Sequence, residues 1–310
     1  MTQMISVNRF FYSLLVLTLL SWLHAGCDDP VEIPPTEGEY SGTGVFTYTD
    51  YPPLSDKPIR VFYHVPDSIS PQSPVLFVFH GADRNAAAYR NAWIEYADQY
   101  GIMVFAPEFN TTHYPGGDMY NLGNVFVDGD NPSPATLNEE SSWTFSLIEP
   151  LFQHIRLAMQ SNRQTYDVYG HSGGGQFAHR LLMLKPDNSL GRVIASASGW
   201  YTVPDGAIDF PYGIGQSPIA SFDLGELFAH DLVIMVGEED NDPNSAGLRH
   251  NAQADQQGLH RVERAMHFYS RGQEIAARSG SNFRWRYLSL PGIGHAFQPT
   301  AAAAAELLYE

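Results

Sequence analysis

A single cysteine, Cys27, occurs in the 310 residues, so no internal disulfide can staple the fold, and stability must come from a packed core. Cations are scarce as well: 17 Lys and Arg stand against 34 Asp and Glu, a formal net charge of −17. A chain so acidic lacks the cationic surface that phosphate backbones require. That excludes nucleic acid as a partner, speaks against anionic polymers and favours neutral or apolar substrates. Long apolar runs are missing too, since the run over residues 10–23 falls short of the roughly 20 residues that cross a bilayer. No internal repeat is visible. What the chain does have is 44% hydrophobic and 13% aromatic content, enough to bury one large core and inconsistent with disorder.

The first 26 residues carry one charge, Arg9, then the short apolar run, then small residues up to Cys27. This is the pattern of an export signal peptide lying outside the fold. Cys27 directly after Ala25 and Gly26 resembles a bacterial lipoprotein signal, which implies a lipid on Cys27 and a membrane anchor through it; ordinary cleavage after a small residue is the alternative. The expected location is therefore the cell envelope, or otherwise the periplasm or the exterior. Residues 27–40 are acidic and proline-rich and read as a linker, leaving 41–310 as the folded domain.

Within 41–310, strand-like runs alternate with helical ones. GVFTYT, IRVFYHV, PVLFVFHG, IMVFAPE, YDVYG, RVIASAS, DLVIMVG and RWRYLSL read as strands. Helices are expected over residues 86–100, 141–160, 261–278 and 301–309, with a long aperiodic loop over about 109–140. Such alternation predicts an α/β fold: a mostly parallel central sheet with helices on both faces and its ligand site beyond the carboxyl ends of the strands.

Gly170-His171-Ser172-Gly173-Gly174 lies between a strand-like and a helical run. It matches G-x-S-x-G, in which a sharp strand-to-helix turn exposes the serine and glycines two residues away on either side relieve its crowding. A serine hydroxyl is a poor nucleophile unless a base takes its proton. On this topology the partners follow in the order serine, acid, histidine. DLVIMVGEEDND places Asp240 just past a buried strand, with Asp242 as the alternative acid, and YLSLPGIGHAF does the same for His295. The remaining need is a pair of N–H donors for a developing oxyanion: Gly173 follows the serine, and Ala82 follows the strand that ends in FHG. His171 and His80 are assigned structural roles.

Through FHGADRN, GHSGGG, VGEED and GIGH the chain resembles the α/β-hydrolase superfamily, and HGADRNAAAYRNAW with GHSGGGQFAHR resembles serine esterases of the poly(3-hydroxybutyrate) depolymerase and feruloyl esterase type. The resemblance implies hydrolysis of small or polymeric carboxylic esters through an acyl-enzyme, with Ser172 as nucleophile, His295 as base and Asp240 orienting it, and with no cofactor or metal. A serine peptidase of the same fold and a non-catalytic surface protein are the competing readings. Tyr114, Tyr120 and Asn121 of the long loop, and Trp200, Tyr201, Phe210 and Tyr212 after RVIASAS, are candidates to wall the cleft; for the aromatics after RVIASAS, stacking on substrate and closing the core are equally expected. Among these, Trp200, Tyr201 and Tyr120 are taken as the substrate contacts.

Overall fold

The computed structural model describes residues 39–221 and 223–310; the expected signal peptide, Cys27 and nearly all of the linker lie outside them. Eight strands form one sheet: β1 (Gly42–Tyr48), β2 (Ile59–Val65), β3 (Val75–Phe79), β4 (Met103–Glu108), β5 (Tyr166–His171), β6 (Leu190–Ser196), β7 (Leu232–Gly237) and β8 (Arg286–Leu290). Their order is β1-β2-β4-β3-β5-β6-β7-β8. The first two strands pair antiparallel at one edge and every later pairing is parallel. The central strands β3, β4, β5 and β7 are buried at every residue. That is why they read as continuous apolar runs, whereas β1 alternates.

The helices are α1 (Ala86–Asn91), α2 (Ile94–Tyr100), α3 (Ile148–Ala158), α4 (Gly173–Leu184), α5 (Leu224–Ala229), α6 (Ala252–Gln256), α7 (Arg261–Ser279) and α8 (Phe297–Tyr309). Alternate residues of β3 divide between two cores: Phe77 and Phe79 pack with α3, α4 and α7, while Leu76 and Val78 pack with α1, α2 and α8. The α/β arrangement expected from the alternation of elements, a mostly parallel sheet with helices on both faces, is the one observed.

Three element boundaries differ from the sequence expectation. The helix expected over 86–100 breaks at a tight turn in which Trp93 N–H donates to Arg90 O at 3.0 Å, placing the Trp93 ring in the core against Tyr169. The helix expected from 141 begins only at Ile148. Pro150 lies in the first turn of α3, where it is tolerated; with no N–H and a ring that would clash with the carbonyl four residues back, it bars the helix from extending further towards 141. The last helix starts four residues earlier than expected, with Pro299 in its first turn, where a missing N–H costs nothing. Tyr40, the final residue of the expected linker, already belongs to the fold: it is buried and stacks on Phe46 with ring centroids 4.6 Å apart.

Candidate active site

Ser172 joins β5 to α4 with φ 57° and ψ −116°, a left-handed conformation that a side-chain-bearing residue holds only under strain. Its N–H donates to Ser196 O at the end of β6 (2.9 Å), and its carbonyl accepts from Gln176 N–H (3.1 Å), so neighbouring elements hold the turn from both sides. The glycines around it answer to close approach. A Cβ on Gly170 would run into the Gly174 carbonyl, and one on Gly174 would lie 2.5 Å from Phe79 C and 2.8 Å from His80 O. The start of α4 therefore presses directly on the end of β3.

That pressure brings two backbone donors together. Gly173 is the first residue of α4, where N–H groups lack intrahelical partners. A Cβ placed on it would be 3.4 Å from Ala82 N. Among the described residues, neither N–H has a protein acceptor. The loop carrying Ala82 is held rigid from below: Tyr120 Oη donates to His80 O (2.6 Å), His80 Nδ1–H donates to Gly81 O (2.9 Å), and His80 Nε2 accepts from Phe109 N–H (3.1 Å). Burial pushes the His80 imidazole down to about 3, so it stays neutral and keeps this donor and acceptor pattern.

Beyond the ends of β7 and β8, the other two residues converge on the serine. His295 Nε2 stands 3.1 Å from Ser172 Oγ, and His295 Nδ1 stands 2.6 Å from Asp240 Oδ2. A carboxylate only accepts, so Nδ1 carries the proton and Nε2 is left as the acceptor for the serine hydroxyl. The two loops meet because Gly237 has no side chain; a Cβ there would fall 2.8 Å from Gly294 O and closer still to Ile293. Glu238 N–H and Glu239 N–H complete the join, donating to Leu290 O (3.0 Å) and Ile293 O (2.9 Å). Asp242, the alternative acid, is exposed and accepts from Asn244 N–H within its own turn.

Two residues complete this line: Arg261, which the sequence did not single out, and His171, expected to be structural. Arg261, the first residue of α7, donates from Nη1 to Asp240 Oδ1 at 3.0 Å, and both side chains are buried. His171 is enclosed beside His295, with ring centroids 4.8 Å apart and its Nδ1 within reach of Ser196 and Thr300 hydroxyls. Burial, then the neighbouring His295 and Arg261, hold His171 well below the usual histidine range, so it buttresses the ring beside it as a neutral group. No periodicity marks Arg261, since a buried arginine inside a polar helical run looks like any solvated one.

All three expected substrate contacts need correction. Tyr120 is 1% exposed, its ring between Phe109 and Phe177 and its hydroxyl committed to the His80 carbonyl; it supports the Ala82 loop from beneath. Tyr201 is fully buried against Phe268, 4.6 Å between ring centroids, and so faces the core. Tyr114 is buried as well and hydrogen-bonds to Lys57 O, so this part of the long loop packs into the core where a wall of the cleft was expected. Trp200 is buried too, 3% exposed, with Arg180 and Arg249 over its ring at 4.2 and 5.0 Å. Among the described residues, no three His, Cys, Asp or Glu side chains cluster as a metal site needs, and no helix is long and apolar enough to cross a membrane.

No protein-family model and no curated protein matches the chain. Solved structures do. Poly(aspartic acid) hydrolase-1 from Sphingomonas sp. KT-1 is 37% identical, over 87% of this chain and 99% of that one, with a TM-score of 0.79. LpqC, a poly(3-hydroxybutyrate) depolymerase from Bordetella parapertussis, is 33% identical over 87% and 90% of the two chains, with a TM-score of 0.81. The siderophore hydrolase EstA from Aspergillus nidulans, 13% identical over 87% and 94% with a TM-score of 0.53, shares the fold alone. With identity at this level along nearly the whole length of two such enzymes, and with TM-scores of 0.79 and 0.81, the chain belongs to the α/β-hydrolase family of serine hydrolases.

Proposed function

We propose that the chain hydrolyses carboxylic esters through an acyl-enzyme on Ser172. The observation that carries this reading is the unbroken line from Ser172 Oγ to His295 at 3.1 Å and from His295 to Asp240 at 2.6 Å, beside two N–H groups with no acceptor among the described residues. His295 Nε2 takes the serine proton as Oγ attacks the ester carbonyl; Asp240 holds the ring and balances the imidazolium that forms. The oxyanion gathers between the Ala82 and Gly173 N–H groups, each such donor contributing about 2.7 to 4 kcal/mol of barrier lowering. His295 then returns the proton to the departing alcohol. Water, activated by the same nitrogen, hydrolyses the acyl-enzyme and releases the acid.

A second reading has support of its own. The 37%-identical relative is a poly(aspartic acid) hydrolase, and the same groups can open an amide when His295 protonates the leaving nitrogen. The test is turnover of p-nitrophenyl butyrate and labelling by a fluorophosphonate, with poly(aspartic acid) run in parallel, for the parent and for Ser172→Ala. The ester reading expects parent turnover to fall by about 10⁴- to 10⁶-fold in the variant. Labelling with polymer cleavage alone favours the amide reading, and neither labelling nor turnover favours a non-catalytic protein. Export with a lipid on Cys27 is part of the proposal. Incorporation of an alkyne-tagged fatty acid that is lost in Cys27→Ser tests it, and an untagged parent overturns it.

A further inference from the structure

Four arginines stand at the rim beyond β6 and β7, and three have a carboxylate: Arg249 with Asp130 (2.6 Å), Arg261 with Asp240 (3.0 Å) and Arg264 with Asp255 (3.1 Å). Arg180 has none among the described residues. It is fully buried in α4, two turns below Ser172, and donates only to neutral groups: Thr202 Oγ1, Asn121 O and the Gln176 backbone and side-chain oxygens. Among the described residues, its Nη2 is buried without any partner. An enclosed guanidinium that lacks a counter-ion costs several kcal/mol, only part of which a cation–π contact with Trp200 offsets. In a chain of net charge −17 such a cation is easily given a carboxylate, so its lack of one requires a reason.

The surroundings supply that reason. Trp200 gathers both guanidiniums at its ring, Arg180 at 4.2 Å and the partly exposed Arg249 at 5.0 Å. Arg249 is bound by Tyr212 Oη (3.0 Å) and by Asp130, a half-exposed aspartate from the long loop. The cluster adjoins the serine. Gly199, just before Trp200, would place a Cβ 3.1 Å from Gln176 Nε2, and Gln176 lies one helical turn from Ser172. Asn121 Nδ2 donates to Gln176 Oε1 (2.8 Å), while among the described residues Gln176 Nε2 has no acceptor.

We infer that this rim is a subsite for a carboxylate carried by the substrate: the anion takes the place of Asp130 on Arg249, and Arg180, buried at the same Trp200 ring, supplies the unbalanced positive charge that draws it there. The inference rests on the esterase reading for its catalytic readout. It sets a local field against the acidic character of the whole chain, which is reasonable because exposed charges beyond about a Debye length are screened while buried ones are not. Asp130 then acts as a stand-in that keeps Arg249 paired until substrate arrives.

The test compares two esters of equal length, monoethyl adipate and ethyl hexanoate, followed by proton release at constant pH. The parent is expected to prefer the half-ester in kcat/KM by about tenfold or more, the worth of one charge-assisted hydrogen bond. The preference should collapse in Arg249→Ala, survive in part in Arg249→Lys and rise in Asp130→Asn. It should persist in Arg278→Ala, which removes a remote charge of the same sign. A parent preference for ethyl hexanoate, or an unchanged ratio in Arg249→Ala, overturns the subsite. Calorimetry of adipate on Ser172→Ala separates this from the catalytic reading: one-to-one uptake lost on adding Arg249→Ala supports the subsite even if no ester is turned over, and no uptake by a folded protein refutes it.

Discussion

Replacing Gly174 by alanine probes the contact on which the proposed oxyanion site depends. The new Cβ would sit 2.5 Å from Phe79 C and 2.8 Å from His80 O, both backbone atoms at the end of a fully buried strand. Carbon atoms rest at about 3.5–4.0 Å, so α4 and β3 must part by about 1 Å. The two donors travel with these two elements, Gly173 opening α4 and Ala82 following β3. A misplacement of that size costs about 10²-fold, and outright loss of one donor 10²- to 10³-fold. Overpacking should also destabilise the fold by about 1–3 kcal/mol. The expected outcome is a folded Gly174→Ala protein, verified by circular dichroism and a lowered Tm, with kcat on p-nitrophenyl butyrate reduced at least about 100-fold and KM little changed. Gly206→Ala, where nothing lies within 4 Å of the added carbon, serves as the control and should match the parent. A folded Gly174→Ala enzyme with kcat within a few-fold of the parent would refute the claim that this contact sets the donor geometry.

Asp240→Asn should lower kcat about 10⁴-fold by stabilising the wrong imidazole tautomer, while Asp242→Asn, which alters only an exposed turn, should stay near parent activity; equal losses would count against Asp240 as the orienting acid. Arg261→Met leaves Asp240 buried with one partner fewer and should cost about 3–5 kcal/mol in urea denaturation, with an unchanged midpoint as the contrary result. Acid should destabilise the fold through His80, His171 and His179, all held neutral by burial, His80 down to about 3. The unfolded chain binds these protons first as pH falls below about 6.5, so their stabilisation is complete above that value and is lost towards the folded-state values, at up to about 1.4 kcal/mol per pH unit for each histidine. Urea midpoints at pH 7, 6 and 5 should therefore fall steeply, and a flat profile would contradict the neutral burial of these rings.

The sequence by itself determined the parts whose physics is local. A strained serine turn needs glycines around it within five residues, buried parallel strands read as unbroken apolar runs, and Asp240 and His295 stand just past two such strands, so the proposed site could be written down from chain order alone. Proline chemistry is equally local: Pro150 by itself bars the helix expected from 141 from reaching back beyond its own turn. Only the tertiary structure decided what depends on neighbours distant along the chain. Tyr120 and Tyr201 look like cleft aromatics by position, but their rings fill the core between elements that sequence spacing does not bring together. Arg261 and Arg180 sit in helical runs like any solvated arginine; that one supports Asp240 and the other lies buried without a carboxylate follows from how α4 and α7 pack against the ends of the sheet. Charge shows the same division, because the net value is a property of composition while the field at the rim depends on which few side chains the fold shields from water.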